Sequence, residues 1–309
     1  MTVRLCLFFA TKFLPLSGPV RGETVPNPKM PTDAPLQSVK AVIMGASGPN
    51  QETTFRHLIR QALDEVIDGG RTGRWKVEQL EKTEKTYIGT KLEILVRNQF
   101  EFPRGKTLDL KIAGHEVDVK STVRNNWNWM IPKEARGNIC LLIRADEKAA
   151  CFSVGLLRMT DDNLTLGENR DRKVSVSSIG KQRIDWLVAP SLLPPNFLAT
   201  LSDSDRTAIF NQRKGQARVT EFLRRVTSRV IPRLAIETVA QQKDPMKRIR
   251  KNGGAQDELL NEGIVIFVGD WIKPRALAAA CGLPPIKPGE VVSFKTTVAH
   301  ANELLQQLD

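Results

Sequence analysis

Apolar residues first recur at helical spacing over 52–67, where Phe55, Leu58, Ile59, Leu63, Val66 and Ile67 share one face. The Gly69-Gly70 pair predicts the end of that helix. A second helical pattern begins near Trp75 and a third near Gly89, with Leu92, Ile94, Leu95 and Phe100 marking its apolar side. The period then shortens. Residues 107–122 alternate in two runs around Ala113-Gly114, and 139–145 and 151–157 are alternating or short apolar runs, so strands are expected. Residues 188–196 carry Pro190, Pro194 and Pro195, which cannot extend a helix or a central strand, and a domain boundary is placed there. Beyond it, 232–241 predicts a helix, and Asp244-Pro245 an N-cap with proline at the first helical position. Gly253-Gly254 predicts a break before a helix over 255–261, and 264–268 an apolar strand. The chain is therefore expected to be mixed α/β, with one domain over 39–189 and a second, mostly helical one over 190–309.

Composition narrows the function. Of 309 residues, 41% are hydrophobic and 26% charged, which describes a soluble globular chain. Lys and Arg total 46 against 34 Asp and Glu, a net +12, so an acidic partner such as nucleic acid is expected. Between Arg206 and Lys251 there are 13 basic and 3 acidic residues, a net +10. That is the footprint of a phosphate-tracking surface, or, more blandly, a solvated helix face. The cysteines at 6, 140, 151 and 281 form no Cys-x-x-Cys pair, so neither a zinc ribbon nor a disulfide framework is signalled and a reducing cytoplasm fits best. His57, His115 and His300 lack metal-ligand spacing, and Tyr87 stands alone, which excludes His-Glu-x-x-His hydrolases and argues against tyrosine nucleophiles. At the N-terminus an apolar run, 5–10, is cut by Lys12 below the length of a secretory signal. Residues 1–38 read as a disordered leader or as a misassigned start, with Met30 or Met44 the true one. No run approaches the length needed to span a bilayer.

Chemistry concentrates in residues 106–121. Read as a hairpin turning at Ala113-Gly114, the register pairs Asp109 with Asp118, Leu110 with Val117 and Leu108 with Val119. One face is then Leu108, Leu110, Ile112, Val117 and Val119; the other carries Asp109, Lys111, Glu116, Asp118 and Lys120. Two carboxylates directly across a strand pair repel unless a cation lies between them. Mg²⁺ suits such a site, because it takes oxygen ligands and keeps several waters; the Val119 backbone carbonyl would be a further ligand. Lys120 falls on the same face as Asp118, where an ammonium can orient or help deprotonate a metal-bound water. This is the division of labour needed for phosphodiester hydrolysis. The alternative is an ordinary hairpin face of mixed charge.

At this point the sequence resembles the NaeI-type type II restriction endonucleases, over about 82–290. The resemblance lies in Thr86-Tyr-Ile-Gly-Thr-Lys-Leu-Glu93, Leu108-Asp-Leu-Lys-Ile-Ala-Gly-His-Glu-Val-Asp-Val-Lys-Ser121 and Trp129-Met-Ile-Pro-Lys-Glu-Ala135. It continues in Gly167-Glu-Asn-Arg-Asp-Arg-Lys173, Lys247-Arg-Ile-Arg-Lys251 and Asn261-Glu-Gly-Ile264. Family members often have Cys where Val119 stands, a position that would lend only its carbonyl. The resemblance implies a Mg²⁺-dependent, homodimeric endonuclease acting on double-stranded DNA, in one copy or in two. It implies a restriction-endonuclease-like core, a mixed β-sheet flanked by helices, followed by a winged helix-turn-helix-like DNA-binding domain. The implied catalytic set is Glu93, Asp109, Asp118 and Lys120, with Glu93 resting on the resemblance alone.

Helix, turn, helix and strand is also the order of winged helix-turn-helix domains, which place a recognition helix in the major groove. Lys247, Arg248, Arg250 and Lys251 would then contact phosphates or bases, with Gln256 at the start of the recognition helix. Asn169, Arg170, Arg172 and Lys173 are expected in a polar loop as DNA-backbone contacts. Among Asn125, Asn126, Trp127, Asn128, Trp129 and Met130, amides can read base edges and apolar groups can wedge into a step, though core packing is favoured for Trp129 and Met130. A non-catalytic DNA-binding regulator and a DNA-nicking repair enzyme remain as alternatives.

Overall fold

The computed structural model describes residues 33–123 and 127–308. The leader through residue 32, and Asn125 and Asn126, lie outside the described residues. The described residues form two compact units, one running up to Val66 and resuming over Leu80–Pro195, the other comprising Ile67–Gln79 and the described residues from Asn196 onward.

Helical order begins earlier than the expected 39. Ala34–Ser47 is a helix whose Leu36, Val39 and Ile43 are buried. Asp33 starts it by accepting the Leu36 N–H at 3.0 Å and fastens it to the sheet through a two-pronged pair with Arg158 at 2.6 and 2.8 Å. Gln51–Ile67 and Lys82–Phe100 are the other long helices of the first unit. The second of these starts before Gly89 and buries Ile88, Leu92, Val96 and Phe100, an i, i+4 stripe that replaces the expected Ile94 and Leu95.

The first unit is built on a five-stranded mixed sheet of order β1-β2-β4-β5-β7. Its strands are β1 (Leu110–Ile112), β2 (His115–Thr122), β4 (Ile139–Asp146), β5 (Cys151–Arg158) and β7 (Asp185–Leu192). A separate ribbon pairs β3 (Met130–Ile131) with β6 (Val174–Ser175). β2 runs parallel to β4 and the other neighbours are antiparallel. β4 is buried throughout, as a central strand covered on both faces must be. β7 extends through the proline-bearing segment, which was expected to hold no central strand; Pro190 is tolerated because β7 is an edge.

The second unit opens with residues 67–79, which the helical pattern near Trp75 gave no reason to separate from the first. Trp75 stacks on Phe210 with ring centroids 4.9 Å apart. Helices Asp203–Phe210, Gly215–Arg225 and Arg233–Ala240 precede a 3₁₀ turn, Pro245–Ile249, and a short helix, Ala255–Leu260. Asp244 does not cap that turn with its side chain; it pairs with Lys247 at 3.1 Å. Strands β8 (Ile231–Pro232), β9 (Ile264–Val268) and β10 (Glu290–Lys295) form an antiparallel sheet of order β8-β10-β9. Period-2 alternation divides β9 between two cores, Ile264 and Ile266 packing with Phe222 and Ile236, and Val265 and Phe267 with Ala278 and Leu304.

Removing the cap and the guanidinium fork together, Asp33→Ala should cost about 1–2 kcal/mol of stability. Thermal melts of the full chain should show a fall of a few degrees. A chain begun at Met44, which lacks the buried face of the first helix, should melt lower still.

Candidate active site

The Ala113-Gly114 turn has both residues at positive φ, 50° and 83°, the geometry that closes a two-residue hairpin. The ladder it sets pairs Leu110 with Val117, Lys111 with Glu116 and Ile112 with His115. Pairing stops there. Instead of continuing as strand, Asp109 turns its carboxylate onto the next free donor of β2, accepting the Val119 N–H at 2.8 Å. A strand residue's N–H and C=O point to the same side, so the Val119 carbonyl faces the edge that β1 has vacated. Leu108, expected on the face of Leu110, packs instead with Trp129, Cys140 and Leu142, because the chain has left the strand direction by that residue.

That departure is held by Glu116. Its carboxylate accepts the backbone N–H groups of Lys106, Thr107 and Leu108 at 2.8, 3.0 and 2.8 Å. These bonds, from Leu108 first, hold its carboxyl down at about 2. Gly105 is required beside it, since a Cβ there would strike the Leu108 carbonyl and reach to 2.7 Å from the Glu116 carboxylate. The alternation in the sequence placed Glu116 on the charged face but gave no sign of this role; Gly105 eleven residues ahead was the signal available.

Asp118 and Lys120 are in register with Cys140 and Leu142 of β4, on the face covered by the Trp129 cluster. Asp118 is therefore 3% exposed rather than on an open hairpin face. Its Oδ2 is buried, with the Lys120 Nζ 2.7 Å away as its ion-pair partner. Burial, and then the Asp109 carboxyl alongside, push the Asp118 carboxyl up to about 7 against the pull of Lys120. Burial opposes the Lys120 charge, but the Asp118 and Asp109 carboxylates outweigh it and keep the ammonium above its usual range. Glu93, on the Lys82–Phe100 helix, is raised by burial and by Asp109, with Arg97 at 3.5 Å pulling the other way. Asp109, Asp118, Val119 and Lys120 thus adjoin on β2 and its edge, with Glu93 near enough to feel Asp109 and Lys120. Among the described residues no three or more His, Cys, Asp or Glu side chains gather into a metal-holding group.

Of the other expected contacts, Asn169, Arg170, Arg172 and Lys173 lie exposed in one loop. In the second unit Lys247 and Arg250 are exposed, and Arg248 and Lys251 half-buried. Gln256 is a correction: it is 3% exposed, its amide donating to the Ile264 carbonyl at 3.3 Å and accepting the Ile266 N–H at 2.9 Å. A side chain committed to two strand bonds cannot read a groove. Trp129 is fully buried, its indole N–H on the Ile143 carbonyl at 3.0 Å, and Trp127 lies against the Arg144 guanidinium at 4.4 Å, so neither is a wedge. Part of the basic run, 206–251, is paired with acids of its own unit, Arg224 with Glu221, Glu258 and Glu262 and Arg225 with Glu221 and Asp205. Arg213, Lys214 and Lys243, which the sequence did not single out, remain exposed.

A mixed sheet flanked by helices, with an acidic pair and a lysine at its edge, is an architecture consistent with the restriction endonucleases. The family described as restriction endonuclease NaeI matches residues 41–304. The type II restriction enzyme NaeI of Lentzea aerocolonigenes is 36% identical over 281 residues, covering 89% of this chain and 87% of that protein. The chain belongs to the NaeI restriction endonuclease family.

Glu116→Gln removes the charge from three backbone bonds, so it should lower the melting temperature at pH 7. Because the folded carboxyl sits at about 2, the wild-type advantage is complete above about 4.5 and should shrink as pH falls from there towards 2. Paired melts across that range check the sign.

Proposed function

We propose that the protein is a type II restriction endonuclease that hydrolyses phosphodiester bonds of double-stranded DNA with Mg²⁺, the first unit cutting and both units binding. The observation that carries this is the buried Asp118 carboxyl set beside Asp109 and Lys120, in a chain of this family. Lys120 offsets one charge there, but Asp118 and Asp109 side by side leave a surplus of negative charge, and a hard cation matches their all-oxygen donors. Asp109, Asp118 and the Val119 carbonyl would hold Mg²⁺; Glu93, which does not gather with the two aspartates into one group here, would join them by moving in from its helix. When bound, the ion supplies a Lewis acid for the phosphate and for water. Lys120, kept protonated by Asp118 and Asp109, is a poor base. Its part is to orient the nucleophile and to offset charge on the scissile phosphate, whose unaided hydrolysis is too slow for positioning alone.

In the second unit, a helix, β8 and two further helices followed by β9 support a helix-turn-helix reading; β10 returns beside β9 only after a further helix, Ile272–Ala280, so the pair is a broader element than a tight wing hairpin. Lys247, Arg248, Arg250 and Lys251, with exposed Arg213, Lys214 and Lys243, would carry its phosphate contacts. Asn169, Arg170, Arg172 and Lys173 would do so for the first unit. Cutting both strands calls for two such centres, hence a homodimer, on one DNA copy or two. A cytoplasmic location agrees with the DNA substrate; no described helix is long and apolar enough to cross a membrane.

Incubation with varied duplex DNA in Mg²⁺ should give discrete double-strand fragments sharing one end sequence, with none in EDTA. DNA shifted but never cut would favour the regulator, and cuts confined to one strand the nicking enzyme. Asp118→Asn should reduce cleavage on the order of 10²–10³-fold or more while leaving DNA binding in place. The same change should raise the metal-free melting temperature at pH 8, since the folded state resists an ionised carboxylate above about 7. Protons and metal compete for that group, so the Mg²⁺ concentration giving half-maximal cleavage should rise as pH is lowered from 8 to 6. A pH-independent requirement would overturn Asp118 as ligand.

A further inference from the structure

One large apolar side chain stands further into solvent than the other exposed hydrophobic residues of the described chain: Leu166 is 105% exposed, against 79% for Ile272, the next. The loop that carries it is built, not slack. Thr165 donates its N–H to the Ser175 carbonyl at 2.9 Å, and Ser175 returns an N–H to Thr165 Oγ1 at 3.0 Å. Asn169 closes the tip, its Oδ1 accepting the N–H groups of Asp171 and Lys173 at 2.9 Å each and its N–H reaching the Lys173 carbonyl at 2.8 Å. Arg136 reaches across to the Glu168 carboxylate at 2.6 Å and the Arg172 carbonyl at 3.2 Å. A frame of this kind holds a leucine in water, where it gains nothing from burial.

The surroundings define what could cover it. Arg170, Arg172 and Lys173 are exposed on the same loop, the Glu168 charge is offset by Arg136, and Asp171 is the one remaining acid of 165–173, with Asp161 and Asp162 at the loop base before it. Charge complementarity therefore points to a polyanion rather than to an apolar protein face. The loop also grows from the right layer. β6 follows it directly and pairs with β3, and Val174 belongs to the cluster containing Cys140, the register partner of Asp118. We propose that Leu166 is an apolar wedge that enters a base step of the duplex while Arg170, Arg172 and Lys173 hold the flanking phosphates. This rests on the DNA-cleaving reading above and adds to it a device that makes the deformability of one step part of site selection.

The test places 2-aminopurine at successive steps of the cleaved site, as found by end sequencing, with Ca²⁺ in place of Mg²⁺ to keep the complex uncut. Wild type and Leu166→Met should raise the fluorescence at one step, where the base unstacks. Leu166→Ala should abolish that rise and weaken binding to the cleaved site roughly tenfold, with binding to unrelated DNA unchanged. An unaltered signal and affinity in Leu166→Ala, or no unstacked step in the wild type, would overturn the wedge while leaving cleavage intact. Loss of self-association in Leu166→Ala, seen by sedimentation with the DNA signal intact, would reassign the leucine to a contact between copies. A wild type that neither binds nor cuts DNA would sink both readings.

Discussion

Asp109 can take the Val119 N–H because β1 stops at Leu110, and the rest of the acidic centre depends on that early stop. Had β1 continued in register, the N–H and carbonyl of Val119 would both be available to its ladder, and Asp109 would face Asp118 across a regular strand pair. The break frees one backbone edge of β2 beside two carboxyls. It is stabilised from outside the site by Glu116, whose three backbone bonds fold residues 105–108 away from the sheet. A carboxylate spent on backbone thus fixes where the neighbouring carboxylates stand, its three backbone bonds outweighing the burial that opposes its own charge.

Burial separates the roles of the remaining charges. Asp118 lies under the cluster of Trp129, Cys140 and Leu142, so ionising it is resisted, while Lys120 gains from the acids around it and stays charged. A pair in which the acid is reluctant and the base is fixed as a cation is unbalanced on its own, since burial and the Asp109 carboxyl together outweigh the pull of Lys120 on Asp118. Additional positive charge at that carboxyl relieves the imbalance. The same reasoning explains why the basic surplus of the second unit overstates its free surface: Arg224 and Arg225 answer Glu221, Glu258, Glu262 and Asp205 and contribute to the fold before any ligand arrives.

What could be read from the chain was what is local and periodic. The hairpin register at Leu110 and Val117 follows from a period of two and a two-residue turn, both visible within ten residues. The position of Leu108 was not, because leaving the strand depends on Glu116 bonding backwards across the turn. Gln256 misled for a related reason: a polar residue at a helix start looks like surface, and only β9, eight to ten residues on, supplies the backbone groups that bury it. Ile67–Gln79 was illegible as a part of the second unit, since the stack of Trp75 on Phe210 spans more than a hundred residues of sequence. Pro190 argued against a central strand correctly, yet said nothing against an edge.

Glu93 marks the boundary between what geometry and what kinship contribute. Nothing in the spacing of its helix distinguishes it from Glu78, Glu81 or Glu84, and in the fold Glu81 and Glu84 are occupied in capping the helix that Glu93 rides on. Glu93 is the carboxylate of that helix whose charge is opposed both by burial and by Asp109, with Arg97 partly compensating. Its cost of ionisation is therefore coupled to the same acids on the β2 edge, and a cation shared by Asp109 and Asp118 would relieve it too. That coupling gives Glu93 an electrostatic link to the centre beside the one that kinship supplies.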